Sequence, residues 1–134
     1  MFCLSGLLSY IYPSDTANLT AALDTHNIPY RFLPNTKDIW VRDFMPVRTR
    51  SGKLVSFRYE PSYLRDCPAL RTDFRRDIAP QLALTPVYAD INLDGGNVVF
   101  SPSGARVLIS DRVFSENPEL PPAALAHELS ELLE

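Results

Sequence analysis

The sequence has little of the residue types that mark several common classes of protein. Among its 134 residues are only two cysteines, two histidines and one tryptophan. Cys3 and Cys67 lie far apart and form no C-x-x-C motif, so their spacing indicates neither a zinc site nor a disulfide framework. We expect two free thiols in a reducing compartment, which favours a cytoplasmic protein.

Long apolar runs and a strong excess of one charge are also lacking. The first residues, MFCLSGLLSYIYP, have no basic segment and no small-residue cleavage site, so they do not resemble a signal peptide. No run approaches the roughly 18 apolar residues of a membrane span. A net charge of −3 gives no electrostatic footprint for nucleic acid or an anionic membrane. We therefore expect neither partner, and the length fits one domain or part of a larger one.

The sequence contains a mixed pattern of helices and strands. The first half predicts a helix over residues 14 to 25, with Ser14 as its N-terminal cap and Asp15 suited to the helix dipole. A strand (IPYRFL) follows, and residues 39–49 and 53–59 predict a hairpin whose turn contains Gly52.

The second half repeats this order of elements. Leu70, Phe74 and Ile78 recur at helical spacing and predict a second amphipathic helix. After it come a strand (PVYADINL) and a hairpin (NVVFS and ARVLIS) that turns at Gly104. A last helix opens at Pro121-Pro122, with leucines at 125, 129, 132 and 133 on one side.

Two dipeptides recur at the same interval. Asp38-Ile39 and Asp90-Ile91 are 52 positions apart, as are Ser51-Gly52 and Ser103-Gly104. One interpretation is an internal repeat of helix, strand, acidic loop and hairpin, which is typical of propeller-like or solenoid assemblies. The other is chance. If the repeat holds, residues 1–134 contain two units and the opening helix of a third.

Charged residues interrupt the otherwise apolar stretch DIWVRDFMPV. Its Asp43 and the Asp94 of LDGGNVVF would occupy corresponding acidic loops of the two repeats, so their carboxylates would converge in a closed assembly. Converging carboxylates suit a planar cation, because a guanidinium presents five N–H donors in a fixed fork. Trp40 could supply an aromatic face beside it.

The two stretches together resemble a known family. WVRDFMPV and LDGGNVVF are similar to the W-x-R-D and E/D-G-G motifs of the agmatine deiminase and bacterial peptidyl-arginine deiminase family, which belongs to the guanidino-group-modifying penteins. The trailing SDRVFSENP extends the similarity over almost the whole chain. The resemblance implies an α/β fold of repeated helix-strand-hairpin units, the N-terminal part of a five-unit propeller.

The resemblance also implies a function. Asp43 matches the aspartate that binds the substrate guanidinium, and Asp94 matches the acid that orients the catalytic histidine. In such enzymes a cysteine thiolate attacks the guanidinium carbon, the histidine protonates the departing ammonia, and water releases a ureido product; no metal or organic cofactor is required. Asp94 stands where agmatine deiminases usually have Glu, and Met45-Pro46 where they have Gly-Pro, so the substrate stays open between agmatine and an arginine derivative.

The catalytic histidine and cysteine of that family have no counterparts in this chain. Its histidine lies in a later H-x-D motif and its cysteine near the end of the full chain, and neither motif occurs here. We therefore expect the N-terminal portion of a guanidino-group hydrolase, or alternatively a non-catalytic guanidinium-binding or assembly module. A second copy or further repeats would cover its open sheet edges.

Each candidate residue also has a structural interpretation. Asp43 could pair with Arg42 or cap a turn, Trp40 could pack in the core, and Asp94 could initiate a turn. Arg42 is expected to brace the loop. The remaining polar residues are predicted to be structural: Asp38 and Asp90 as caps where strands begin, His26 at a helix C-terminus, and His127 on a solvated helix face.

Overall fold

Three small sheets and five α-helices make up the fold in the computed structural model, which describes all residues from 1 to 134. The fold is mixed α/β, as predicted, and none of the sheets closes on itself. The strands are β1 (Phe2–Ser5), β2 (Tyr30–Leu33), β3 (Val47–Arg48), β4 (Leu54–Arg58), β5 (Val87–Asn92), β6 (Val99–Phe100) and β7 (Val107–Leu108). The helices are α1 (Leu8–Ile11), α2 (Pro13–Thr25), α3 (Val41–Phe44), α4 (Arg112–Glu116) and α5 (Pro122–Leu133).

Parallel pairs and hairpins alternate along the chain. β1 pairs in parallel with β2, and β4 pairs in parallel with β5. β3 with β4, and β6 with β7, form antiparallel hairpins. Because parallel strands require a crossover, helical segments connect both parallel pairs. β1 and α1 were not predicted, since this short apolar run carries no clear periodicity.

The first long helix matches its prediction except at its start. It begins at Pro13, and Tyr12 precedes it without a side-chain capping bond, so the prediction that Ser14 caps it is wrong. Proline favours the first helical position because its ring fixes φ and it has no N–H to leave unpaired. Ser14 is thereby drawn into the first turn, together with Asp15.

The first hairpin is shorter than predicted. Residues 39–46 do not form a strand; they contain the single turn of α3, and β3 begins only at Val47. Met45 is extended, as expected for a residue that precedes a proline, and this ends the helix. The predicted turn is confirmed: Gly52 has a φ of 92°, in the left-handed region that glycine adopts readily.

The second amphipathic helix is reduced to one turn. A π-helical turn over Phe74–Ile78 buries both of these end residues, while Leu70 stays 43% exposed. Asp73 caps this turn by accepting a hydrogen bond from the backbone N–H of Arg76 at 3.0 Å. Prolines at 68 and 80 restrict the flanking segments to 3₁₀ turns.

The other predicted elements are present. β5, the β6–β7 hairpin and α5 all form, and Gly104 has a φ of 70° in the hairpin turn. Leu125, Leu129 and Leu133 are buried on one face of α5, with Leu132 partly buried beside them. The helical periodicity of these leucines therefore identified the correct buried face.

Two hydrophobic clusters stabilise the chain. The first joins α5 to the β3–β4–β5 sheet and includes Val55, Ile91 and Leu93. The second lies below β2 and α3 and includes Leu33 and Phe44.

No helix in the structure has the length and apolar character needed to cross a membrane.

Leu125 and Leu19 provide a matched test of this arrangement. Leu125 is fully buried on α5, whereas Leu19 on α2 is 41% exposed. We expect Leu125→Ala to lower the free energy of unfolding by about 2–5 kcal/mol, because it leaves a cavity in a packed cluster. Leu19→Ala should change it by only about 0.5 kcal/mol. Urea unfolding followed by circular dichroism measures both, and equal losses would contradict the assigned core.

Candidate functional site

The turn after β5 lies directly against α3. It contains Asp94, Gly95 and Gly96, and a Cβ atom at Gly95 would overlap the backbone carbonyl oxygen of Arg42. A Cβ atom at Gly96 would overlap the carboxylate of Asp43. Since neither glycine carries a side chain, the two backbone segments approach to contact distance.

A hydrogen bond fixes this contact. The backbone N–H of Gly96 donates to Oδ1 of Asp43 at 3.1 Å. Phe44, next to Asp43, belongs to the second hydrophobic cluster, and Leu93, next to Asp94, belongs to the first. Each acid is therefore anchored through its neighbour to a different core, and the two acids meet where the cores join.

Two tyrosines that we did not predict complete the site. The hydroxyl of Tyr63 hydrogen-bonds to Oδ2 of Asp94 at 3.4 Å, and the hydroxyl of buried Tyr59 lies 3.4 Å from that of Tyr63. Tyr59 and Tyr63 are four residues apart on either side of Pro61, just after β4. That spacing was the only sequence signal for their proximity, and it is not specific.

A polar network holds Tyr63 over the site. Glu116 accepts hydrogen bonds from the Ser62 backbone N–H at 2.9 Å and from the Ser62 hydroxyl at 2.6 Å. The same carboxylate accepts from Arg112 at 3.1 Å and from Asn92 at 3.2 Å. Arg112 also lies over the Tyr63 ring, 5.1 Å from its centroid, in cation–π geometry.

A pair of buried amides fixes the end of β5, two residues before Asp94. Oδ1 of Asn117 accepts the Asn92 N–H at 2.7 Å, and Nδ2 of Asn117 donates to the Asn92 carbonyl at 3.0 Å. The Asn92 side chain pairs in the same two-way manner with the backbone of Glu60. Because buried amides are costly unless satisfied, this arrangement fixes the position of the loop.

The surroundings of the two acids disfavour their charged forms. Burial, and next the charge of Asp43, raise the pKa of Asp94 to about 6. Burial also raises the pKa of Asp43, although the Gly96 N–H acts against this shift. Since only Asp43 accepts a backbone N–H, a proton taken up by the pair resides mainly on Asp94.

The other residues of the first motif flank this contact. Trp40 directly precedes α3 and is 61% exposed, so it is not a core residue. The Arg42 guanidinium donates to the Val98 carbonyl at 3.0 Å, which joins α3 to the second hairpin as a brace. Arg42 forms no ion pair with Asp43, but Oδ1 of Asp43 accepts the Gly96 N–H and so caps the Gly95–Asn97 turn, as its structural interpretation predicted. Asp94 initiates that turn, also as predicted: it directly precedes Gly95, and its backbone carbonyl accepts the N–H of Asn97 at 2.9 Å.

The predicted capping roles of two other aspartates are wrong. Asp38 bonds to the N–H of Ile39 at 2.6 Å, but no strand begins there. Asp90 lies inside β5 with its side chain 93% exposed and pairs with Arg58 at 3.0 Å. The Asp-Ile dipeptide thus occupies a loop in one half and a strand in the other. The two aspartates also have different partners, the Ile39 N–H for Asp38 and the Arg58 guanidinium for Asp90.

The histidines and cysteines lie outside the contacts of the site. His127 is exposed on α5 and His26 lies at the C-terminus of α2, both as predicted, and neither they nor the cysteines hydrogen-bond to Asp43 or Asp94. Cys67 is exposed and Cys3 is partly buried on β1, where burial raises the pKa of its thiol.

A cleft of about 560 Å³ lies along β4 and β5, and neither acid lines it. Four arginines line it: Arg58 and Arg76 pair with carboxylates, Arg71 donates to backbone carbonyls, and Arg75 lies over the Tyr88 ring. No group of three or more His, Cys, Asp or Glu side chains is arranged to hold a metal ion. The chemistry available at Asp43 and Asp94 is recognition of a cation by two carboxylates.

Two glycine substitutions should separate the backbone contact from the side-chain contact. Gly95→Ala meets a carbonyl that cannot rotate away, so we expect a loss of about 1–3 kcal/mol in unfolding free energy. Gly96→Ala meets the end of the Asp43 side chain, which can rotate, and should cost less. Urea titration measures both; a larger loss for Gly96→Ala would contradict the described contact.

Asp94→Asn should stabilise the ligand-free protein at neutral pH. A carboxyl whose pKa is raised on folding costs stability above that pKa, so the gain should appear at pH 7.5 and shrink as the pH falls towards 4. Full burial would make the gain about 3 kcal/mol, and solvent screening of this half-buried group reduces it to about 1 kcal/mol. Unfolding at several pH values measures it, and a destabilised variant at pH 7.5 would refute the assignment.

We compared the chain with protein-family models, with curated proteins and with solved structures, and none of them matches it. The resemblance to the deiminase family therefore rests on the two motifs, and the structure adds that the acids of these motifs lie at one contact.

Proposed function

We propose that this chain is the guanidinium-binding, N-terminal portion of a guanidino-group hydrolase that acts on agmatine or an arginine derivative. One observation carries the proposal: Asp43 and Asp94, each from one of the two motifs, meet across the Gly95–Gly96 turn. The products would be ammonia and a ureido compound.

The charge of the site supports a cationic ligand. The two carboxylates are half-buried and close enough for the charge of one to raise the pKa of the other. A bound cation would relieve this repulsion, and a planar guanidinium can donate N–H groups in two directions at once. Trp40 lies three residues before Asp43 and is exposed, so its ring is free to cover the ligand.

In the proposed reaction the two acids have different roles. Asp43 binds the guanidinium, and Asp94, which also faces the guanidinium, orients a histidine. A cysteine thiolate bonds to the guanidinium carbon, ammonia leaves with a proton from the histidine, and water then cleaves the carbon–sulfur bond to give the ureido product. Since no cysteine or histidine contacts the acids here, the proposal assigns both groups to protein outside residues 1–134.

The proposed architecture is the corresponding part of a five-unit α/β propeller. Its support is the recurring order of a strand, a short helical turn and a hairpin, with a left-handed glycine, Gly52 or Gly104, in each hairpin turn. The two acidic loops touch, as loops of adjacent units around one axis would. Further units, or a second copy of the chain, would cover the free edges of the three sheets.

The alternative from another class is a guanidinium-binding or assembly module without catalysis. The observation that favours it is the lack of a thiol or imidazole in contact with the acids. Both proposals predict binding. Only the hydrolase predicts that a protein combining this chain with an H-x-D histidine and a late cysteine forms a ureido product.

Calorimetric titration with agmatine tests the shared claim. We expect binding at pH 8, and an affinity that falls as the pH drops below about 6, because Asp94 then becomes protonated. Asp43→Asn should weaken binding by about 10- to 100-fold through loss of a charged hydrogen-bond acceptor.

Two controls sharpen this titration. Asp90→Asn removes an acid whose side chain is 93% exposed, and it should leave affinity unchanged. Putrescine, which replaces the guanidinium of agmatine with an ammonium, should bind more weakly. Equal affinity of Asp43→Asn and Asp90→Asn for agmatine would refute the proposed site.

A further inference from the structure

Tyr63 makes the only side-chain hydrogen bond that Asp94 receives. Its hydroxyl contacts Oδ2, and Oδ1 of Asp94 has no donor within the chain. Asp43 is held in a matching way, with Oδ1 bound to the Gly96 N–H and Oδ2 without a donor. Each acid thus has one oxygen held by the protein and one free for a ligand.

The position of Tyr63 does not follow from core packing. Its side chain is 53% exposed, in contrast to its neighbour Leu64, which is buried. The ring lies instead under the Arg112 guanidinium, and the Ser62–Glu116 bonds fix the turn that carries it. The network therefore places the Tyr63 hydroxyl against the acid although little apolar area is gained.

The direction of the hydrogen bonds follows from the groups present. An ionised Asp94 can only accept, so Tyr63 donates to it and Tyr59 in turn donates to Tyr63. Burial raises the pKa of both phenols, so both keep their protons at neutral pH. A donor to a carboxylate stabilises its charged form.

We propose that Tyr63 is a positioning residue for Asp94: its hydroxyl holds Oδ2, which leaves Oδ1 directed to receive one N–H of a guanidinium whose second N–H goes to Oδ2 of Asp43. This inference rests on the proposed function and deepens it, because it states how the ligand is shared between the acids.

Four groups from three segments influence the charge of Asp94. Asp43 on α3 and Glu116 on α4 disfavour its ionisation, whereas Tyr63 and Arg112 favour it. Removal of the Tyr63 hydroxyl alone should therefore raise the pKa of Asp94. Guanidinium binding would then require a higher pH.

Tyr63→Phe tests this directly, because it keeps the ring below Arg112 and removes only the hydroxyl. Tyr10→Phe is the matched control, since Tyr10 on α1 is 86% exposed and far from the site in sequence. Carboxyl ¹³C NMR of the ligand-free chain should give a higher titration midpoint for Asp94 in Tyr63→Phe and an unchanged midpoint in Tyr10→Phe.

Agmatine titration of the same variants provides the second measurement. We expect Tyr63→Phe to weaken binding by about two- to tenfold at pH 6, the range of one hydrogen bond, and by less at pH 8. A purely structural role would weaken binding equally at both pH values. That result, or an unchanged Asp94 midpoint, would overturn the inference.

The two measurements separate this inference from the proposed function. If the unmodified chain does not bind agmatine at pH 8, the proposed function fails. The claim that Asp43 and Asp94 each accept an N–H of one guanidinium then fails with it. The ligand-free Asp94 midpoint still decides whether Tyr63 holds that carboxylate.

Discussion

The close approach of α3 to the Gly95–Gly96 turn is the constraint on which the candidate site depends. A side chain at Gly95 would push the two backbones apart, and one at Gly96 would displace the Asp43 carboxylate, so Asp43 and Asp94 would no longer share this contact. The glycines carry an entropic cost, because their unfolded states are more numerous than those of other residues. In return, two acids from distant parts of the chain share one environment.

Hydrogen bonds among neighbouring polar groups keep the two acids in this environment. Two half-buried carboxylates of raised pKa oppose folding when both are charged. The buried pair of Asn92 and Asn117, with Glu116 beside it, offsets this by fixing the end of β5 through fully used hydrogen bonds. Perturbed acids supported by a rigid polar network are characteristic of binding and catalytic sites.

Local sequence signals sufficed where neighbours along the chain decide the structure. The two hairpin glycines, Gly52 and Gly104, need positive φ whatever packs around them, and both turns formed as predicted. The apolar neighbours of Val41 predict a strand, but the segment forms a helical turn. That turn brings Asp43 to Gly96 and buries Phe44, and both contacts are made with residues outside the segment, which its own sequence cannot indicate. Tyr63 carried no signal, because its role depends on a partner 31 residues away.

The placement of Trp40 has a spectroscopic consequence. It is the only indole in the chain, it is mostly exposed, and the backbone N–H of Asp43 donates to its carbonyl at 3.0 Å. Fluorescence excited at the red edge of the indole band therefore originates from one position, at the margin of the paired acids. The chain carries its own optical reporter for events at that place, and no label has to be introduced.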